Sequence, residues 1–253
     1  MYVDIHAHLD SPQFTNDLKD VIERAQRHDV KVIIQNGGSP VSNRESLKMG
    51  KKYKIVKAAL GIDPIESLHT IKESSFGVDE ELKFIEKNKN KIIAIGEVGL
   101  DHKLAKKNLW EKQKQIFQQV LDLAKKIKKP VLVHSRKAED DVLTMLEQNN
   151  MKNIVLHCFQ GEERQVFRAL DNGFKFSIPC IVVYDKHFQR LASVIPQNRI
   201  LTESDSPFLS PVPRERNEPA NIEKSVTKIA ELHGLTSEEM AKIIYKNYKT
   251  IFE

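Results

Sequence analysis

The chain predicts an α/β fold of the TIM (β/α)8 barrel class, a single domain over residues 1–253 with extra helices at its C-terminal end. Three observations predict it. Short runs rich in Val, Ile and Leu alternate with longer amphipathic stretches, the pattern of parallel strands joined by crossover helices. Eight such units fit within 253 residues, the usual size of a closed barrel. Histidines and carboxylates also recur at the C-terminal ends of the apolar runs, the rim on which barrels carry their sites. A doubly wound open sheet is the alternative. No dinucleotide glycine fingerprint follows the first run and no phosphate-binding loop occurs anywhere.

Val3-Asp4-Ile5-His6 opens the chain as a strand. Asn16 or Asp17 is placed to cap a helix whose Leu18, Val21, Ile22 and Ala25 share one face. Val30–Ile34 is the second strand, and the Gly37-Gly38 pair breaks it. A helix over 42–52 precedes a third strand, Ile55–Leu60, which the turn Gly61-Ile62-Asp63-Pro64 ends. After a helix over 80–88, the continuous apolar run Ile92–Ile95 reads as a strand buried on both faces, closed by Gly96-Glu97-Val98-Gly99.

A long helix over 109–127 leads to the fifth strand, Pro130–His134. Helices over 138–148, 162–172 and 186–193 separate the sixth strand Ile154–His157, the seventh Phe174–Ser177 and the eighth Arg199–Glu203. Helices over 218–233 and 237–252 finish the chain, the last capped by Thr236 or Ser237 beside Glu238 and Glu239. There is no internal repeat or linker.

With 40% hydrophobic and 30% charged residues the composition is that of an ordinary soluble protein. Forty Lys+Arg against thirty-five Asp+Glu leave a net charge of +5, compatible with a polyanionic substrate without demanding one. The lysines from Lys125 to Lys129 read as a solvated helix end. Two cysteines, Cys158 and Cys180, make neither a disulfide framework nor a thiolate zinc motif. With no signal segment and no membrane-length apolar run, a cytoplasmic location without membrane contact is expected, and a monomer with it.

His6 and His8, at i and i+2 on a strand, turn toward one side, which suits a divalent cation that takes nitrogen and oxygen ligands. The later strands supply the rest: Glu97 after the fourth, His134 at the end of the fifth, His157 at the end of the sixth, and Asp205 after the eighth. Taken singly, each has a plain structural explanation as a hydrogen-bonded histidine, an ion pair or an Asx turn. Placed together on one rim, six ligand-type side chains suffice for two divalent cations with a bridging carboxylate. His28, His69, His187 and His233 lie in surface or polar contexts, and Cys158 is expected to point away from His157 along the strand.

Asp4-Ile5-His6-Ala7-His8-Leu9-Asp10, Gly96-Glu97-Val98-Gly99-Leu100-Asp101, Pro130–Arg136, His157-Cys158-Phe159, Thr202–Pro207 and Arg216–Asn221 together resemble, in order, the TatD family of metal-dependent deoxyribonucleases. The resemblance runs from the first strand to the last helices. It implies an amidohydrolase-like barrel and a cytoplasmic hydrolase that cleaves DNA phosphodiesters, often from the 3′ end, with two divalent ions (Mg, Zn or Mn). By matching position, His6, His8 and Asp205 would hold one ion, His134 and His157 the second, and Glu97 would bridge them. Asp205 and Glu97 would be catalytic, and Arg136, Asp63, His102 and Glu203 would meet single-stranded DNA or 3′ ends. The chain departs from the family at Asp63, where a histidine is usual, at His102, where an aromatic is usual, and at Cys180, where a glycine is common. Hydrolysis of a carboxylic ester or amide, such as a misacylated tRNA, is the first alternative. Non-catalytic nucleic-acid binding is the second, for which no recognition helix, zinc finger or RNA-binding motif is present.

Overall fold

The computed structural model describes residues 1–69 and 77–253; the side chain of His69 lies outside what is described. Strands β1 (Tyr2–Ala7), β2 (Val30–Asn36), β3 (Val56–Ile62), β4 (Ala94–Asp101), β5 (Val131–Arg136), β6 (Ile154–His157), β7 (Lys175–Pro179) and β8 (Ile200–Glu203) alternate with helices. These are α1 (Leu18–Arg27), α2 (Pro40–Lys52), α3 (Glu66–His69), α4 (Val78–Lys87), α5 (Trp110–Ile127), α6 (Glu139–Gln148), α7 (Glu163–Asp171) and α8 (Lys186–Val194). The extra helices α9 (Ile222–Leu232) and α10 (Ser237–Phe252) follow. All neighbouring strands pair in parallel and in sequence order, as right-handed crossovers on a closing sheet require.

β1 and β8 complete the circle through short contacts rather than a long ladder. Ala7 pairs with Ser206, and the Thr202 hydroxyl donates to the Val3 carbonyl at 2.7 Å. Asp4, fully buried, accepts from the Ser204 amide at 2.8 Å and the Ser204 hydroxyl at 2.6 Å. The seam therefore joins the two segments that carry His6, His8 and Asp205.

β4 differs from its prediction. It begins at Ala94 and continues through the glycines to Asp101, with all eight residues buried. Ile95 pairs with Val131 and Val98 with Val133, so three steps on β4 meet two on β5; the same mismatch occurs against β3, where Leu60 meets Ile95 and Ile62 meets Val98. This is a β-bulge at Gly96-Glu97, and such an extra residue re-aims a side chain. Gly99 permits the continuation: its φ is +143°, and a Cβ there would stand 2.0 Å from the His134 carbonyl oxygen. β1 is bulged likewise, Asp4 pairing with Ile33 and Ala7 with Gln35. His6 and Glu97 thus both sit where the ladder is interrupted.

Helix starts follow local chemistry. α2 begins at Pro40, two residues before its predicted start, because Ser39 accepts from the Ser42 amide and proline suits the first turn. Thr236 caps α10 in a capping box with Glu239. Asp17 precedes α1 without capping it; its carboxylate is instead held by Arg216 at 2.9 Å. α10 covers the sheet with Met240, Ile244 and Tyr248, all buried, each contributing about 1.5–3 kcal/mol of apolar burial. Among the described residues no helix is long and apolar enough to cross a membrane.

Candidate metal centre and active site

The C-terminal ends of β1, β4, β5 and β6 and the turn after β8 bring four imidazoles and two carboxylates to the mouth of the barrel. His6 Nε2 lies 3.1 Å from His8 Nε2, 3.4 Å from Glu97 Oε2 and 3.7 Å from Asp205 Oδ1. His8 Nε2 is 3.5 Å from each of the same two oxygens. The other Glu97 oxygen, Oε1, faces His134 Nδ1 at 2.7 Å and His157 Nε2 at 3.5 Å. The two oxygens of Glu97 therefore look into two different sets of imidazoles. His6 and His157 stack at 3.7 Å between ring centres, which sets the two halves side by side.

Asp205 reaches the cluster from a left-handed backbone conformation, φ +53°, which is costly for a residue other than glycine. Its amide donates to the His6 carbonyl at 2.9 Å, and its own carbonyl accepts from Phe208 at 2.8 Å. The barrel seam thus holds the strained turn in place.

The donor set fits divalent cations. His6-His8-Glu97, His6-His157-Asp205 and Glu97-His134-His157 each place their ligand atoms within 4.8 Å of one another. Ligands bound at ~2.1 Å to one ion stand roughly 3–3.5 Å apart, close to the donor spacings here. Imidazole with carboxylate suits zinc, manganese or iron better than magnesium.

Packing these groups together shifts their protonation. Burial disfavours the charged imidazoles, yet neighbouring carboxylates outweigh it. Asp205 and Glu97 raise His8 to about 9, Asp101 and Glu97 raise His134 to about 10, and Glu203 and Glu97 raise His157 to about 9. His6 moves the other way, lowered by burial and by His157. Burial would raise Glu97, but the surrounding imidazoles hold it well below the usual carboxylate range. Asp63 is raised to about 6 by burial and by Glu97.

A cavity of about 520 Å³ opens above the cluster and is lined by His8, Glu97, His134, His157 and Asp205 together with Asp63, Asp101, Arg136 and Phe208. Arg136 pairs with no carboxylate among the described residues. Asp63 is on the wall, with Oδ1 accepting from the amides of Ile65 and Glu66, both at 2.8 Å.

A model of the family described as TatD related DNase matches residues 3–253. This chain belongs to that family. A metal-dependent hydrolase, YabD of Bacillus subtilis, is 33% identical over 263 residues, covering all of this chain and 99% of the relative. The 3′-5′ ssDNA/RNA exonuclease TatD of Salmonella typhimurium is 28% identical, covering 99% of this chain and 98% of the relative. The crystal structure of YJJV, a TatD homologue from Escherichia coli, superposes with a TM-score of 0.88 at 26% identity, covering 99% and 97% of the two chains.

Two of the residues expected to meet substrate lie elsewhere in this TatD-family site. Glu203 is fully buried behind His157, accepting from its Nδ1 at 2.9 Å and from the Ser177 hydroxyl. His102 stacks on Trp110 at 3.9 Å and does not line the cavity. Cys158, expected to point away, lines the cavity because a left-handed turn, φ +44°, follows the strand. Burial and Glu203 push its thiol well above its usual range, so it is no thiolate nucleophile. Cys180 is buried, with its thiol pointing toward the Glu203 carbonyl at 3.6 Å.

Sequence reasoning gave no role to Asp101, which faces His134 Nε2 at 3.1 Å while accepting from the amides of Lys103 and Leu104. Its one signal was its place in Gly-Leu-Asp, six residues past Ile95, the strand end expected for β4. Asp101 and Glu203 form the same device twice: a buried carboxylate behind each of His134 and His157, fixing ring orientation as carboxylates do behind metal-binding imidazoles.

Proposed function

We propose that the protein is a metal-dependent phosphodiesterase that degrades DNA from the 3′ end, using two divalent cations bridged by Glu97. The observation that carries this reading is the division of the Glu97 carboxylate, with Oε2 toward His6 and His8 and Oε1 toward His134 and His157. His6, His8 and Asp205 would hold the first ion and His134 and His157 the second. Cations bound there supply positive charge at the phosphate and bring the pKa of the attacking water toward neutrality.

The chain's own residues do the rest. Arg136, on the wall without a carboxylate partner, binds a non-bridging phosphate oxygen, for which the guanidinium fork is suited. Asp205, facing the cavity within 3.5 Å of His8, orients the water and accepts its proton. Asp101 and Glu203 keep the His134 and His157 rings turned so that one nitrogen of each faces Glu97. Asp63 puts a further carboxylate on the same wall, which favours the carboxylic-ester alternative over a phosphodiester.

The test is cleavage of 5′-labelled single-stranded DNA by protein stripped with chelator and then supplied with Mg, Mn or Zn. Stepwise shortening from the 3′ end that requires an added cation is expected. Absence of cleavage with every cation, alongside hydrolysis of an aminoacyl or carboxylic ester, would overturn the reading.

A further inference from the structure

The opposite end of the barrel carries the molecule's positive charge. Lys48–Lys57, Lys87–Lys91 and Lys125–Lys129 contain twelve lysines and no acidic residue, so the remaining chain is net acidic although the whole is +5. These runs are scattered in sequence but not in space. Each leads into or forms the N-terminal end of β3, β4 or β5, and those strands are consecutive neighbours in the sheet. Strand order therefore gathers the three runs on one arc of the barrel's base, away from the metal centre.

A second cavity, about 830 Å³, opens on this arc. Lys48, Lys51, Lys57, Lys91 and Lys129 line it, over a floor that includes Ile92 and Phe252, and no carboxylate lines it. Some lysines of the three runs have ordinary partners: Lys48 with Glu45, Lys125 with Asp122, Lys126 with Glu86. Lys129 donates to the Ile92 carbonyl at 2.7 Å, and Lys91 to Asn88 Oδ1 at 3.2 Å. Lys51 and Lys57 are exposed on the cavity wall and pair with no carboxylate among the described residues. A solvated helix end explains Lys51, Lys52 and the end of α5, where cations offset the helix dipole. It does not explain Lys57, which lies on a strand, or Lys91, which lies in a connection.

We infer that this lysine-lined base binds the phosphate backbone of a nucleic acid strand, as a second contact separate from the catalytic mouth. The inference rests on the nucleic-acid reading of the mouth for its choice of polyanion. Clustered lysines facing water recognise phosphate as point charges, without sequence preference, and release counterions on binding. Strands of this barrel contain up to eight residues, roughly 25 Å at the usual rise. A strand held at the base can therefore reach the mouth along the outside of the barrel while its end is cleaved.

The experiment compares the full-length protein with a Lys51→Gln/Lys57→Gln/Lys91→Gln variant and with a control, Lys186→Gln/Lys224→Gln/Lys242→Gln, of equal charge change on α8, α9 and α10. Binding of a fluorescein-labelled dT20 is followed by anisotropy in chelator across a salt series. Hydrolysis of bis(4-nitrophenyl) phosphate with added Mn reports the mouth alone. The base variant is expected to lose at least 10-fold in dT20 affinity, with a salt slope lower by about 2, from three lost contacts at about 0.7 each. The control is expected to stay within 2-fold, and small-substrate hydrolysis to be unchanged in both. Undiminished binding by the base variant, or equal loss in the control, overturns the inference. So does a wild type that ignores dT20 but binds phosphatidylserine vesicles through the same lysines. A wild type that binds dT20 through the base yet cleaves no nucleic acid with any cation would sink the nuclease reading and leave this one standing.

Discussion

The mouth and the base of the barrel are built on opposite principles. At the mouth, ionisable groups are buried, crowded and over-determined: Glu97 and His157 are each 6% exposed, His6 is fully buried, both strands that carry His6 and Glu97 are bulged, and Asp205 holds a left-handed φ. At the base, the cavity is lined by lysines and by no carboxylate, and Lys51 and Lys57 are exposed without an ion pair among the described residues. The first arrangement costs stability and fixes geometry; the second costs little and fixes nothing. Chemistry requires the former, because a misplaced ligand is lost rate, and electrostatic attraction requires only the latter.

The comparison breaks most directly at Glu97. Glu97→Gln keeps shape but removes the charge that faces both sets of imidazoles, so nuclease turnover should fall by about 10³-fold or more, the several kcal/mol a divalent site contributes to a transition state. Bound metal measured by mass spectrometry should fall with it, while circular dichroism stays native. Near-native turnover at full metal loading would mean that the mouth is not organised around this carboxylate. Asp205→Asn tests the next layer: kcat should drop by roughly 10²–10⁴ with DNA affinity within a few-fold, as for loss of a proton acceptor. Parallel loss of rate and affinity would assign Asp205 to binding instead.

The carboxylates behind the imidazoles should matter less than the ligands and more than any residue of the base. Glu203→Gln leaves a group that can still accept from His157 Nδ1 but lacks the charge that raises its basicity. A 10–100-fold loss of metal affinity is expected, read by competition with a chromogenic chelator. An unchanged affinity would reduce Glu203 to core packing.

That hierarchy explains what sequence alone could find. The alternation of apolar runs and amphipathic stretches depends on local periodicity, and it places all eight strands. Strand ends are local too, so six candidate ligands could be named by position. Bulges are not local: nothing within Ala94–Asp101 says that three steps there oppose two on β5, and two glycines read as a stop. Asp101 was consequently left beyond the strand and without a role. Cys158 departed from its expected side for a related reason, since alternation assigns sides only while a strand continues, and the chain turns left-handed immediately after His157; Glu203, placed at the substrate by resemblance alone, is held behind His157.

Protonation separates the two ends again. His8, His134 and His157 are raised to about 9, 10 and 9 from 6.5, so without metal they carry protons at pH 7. Those protons stabilise the metal-free fold below pH 6.5, and that contribution disappears as pH rises through 9 to 10. Metal must displace them, so binding at pH 7 should release about three protons, with the number falling as pH rises through 9 and 10. Calorimetric titration in buffers of different ionisation heat measures the release. Heats independent of buffer at pH 7 would show that the imidazoles are already neutral.

The smallest effect is expected at the base, and it is informative for being small. Lys51 and Lys57 are exposed and face other lysines across the same cavity, so replacing them by Gln removes like-charge repulsion and breaks no ion pair. Urea unfolding of the Lys51→Gln/Lys57→Gln variant should differ from wild type by no more than about 0.5 kcal/mol. Relief of repulsion between lysines and loss of the Lys51 charge at the end of α2 act in opposite directions, so any difference should be small and should shrink in 0.5 M salt, where charges separated by more than a few ångströms are screened. A loss above about 1 kcal/mol, persisting in salt, would show that these side chains pack the base through their methylene stems. The lysine face would then belong to the fold, and the division between a costly mouth and an inexpensive base would not hold.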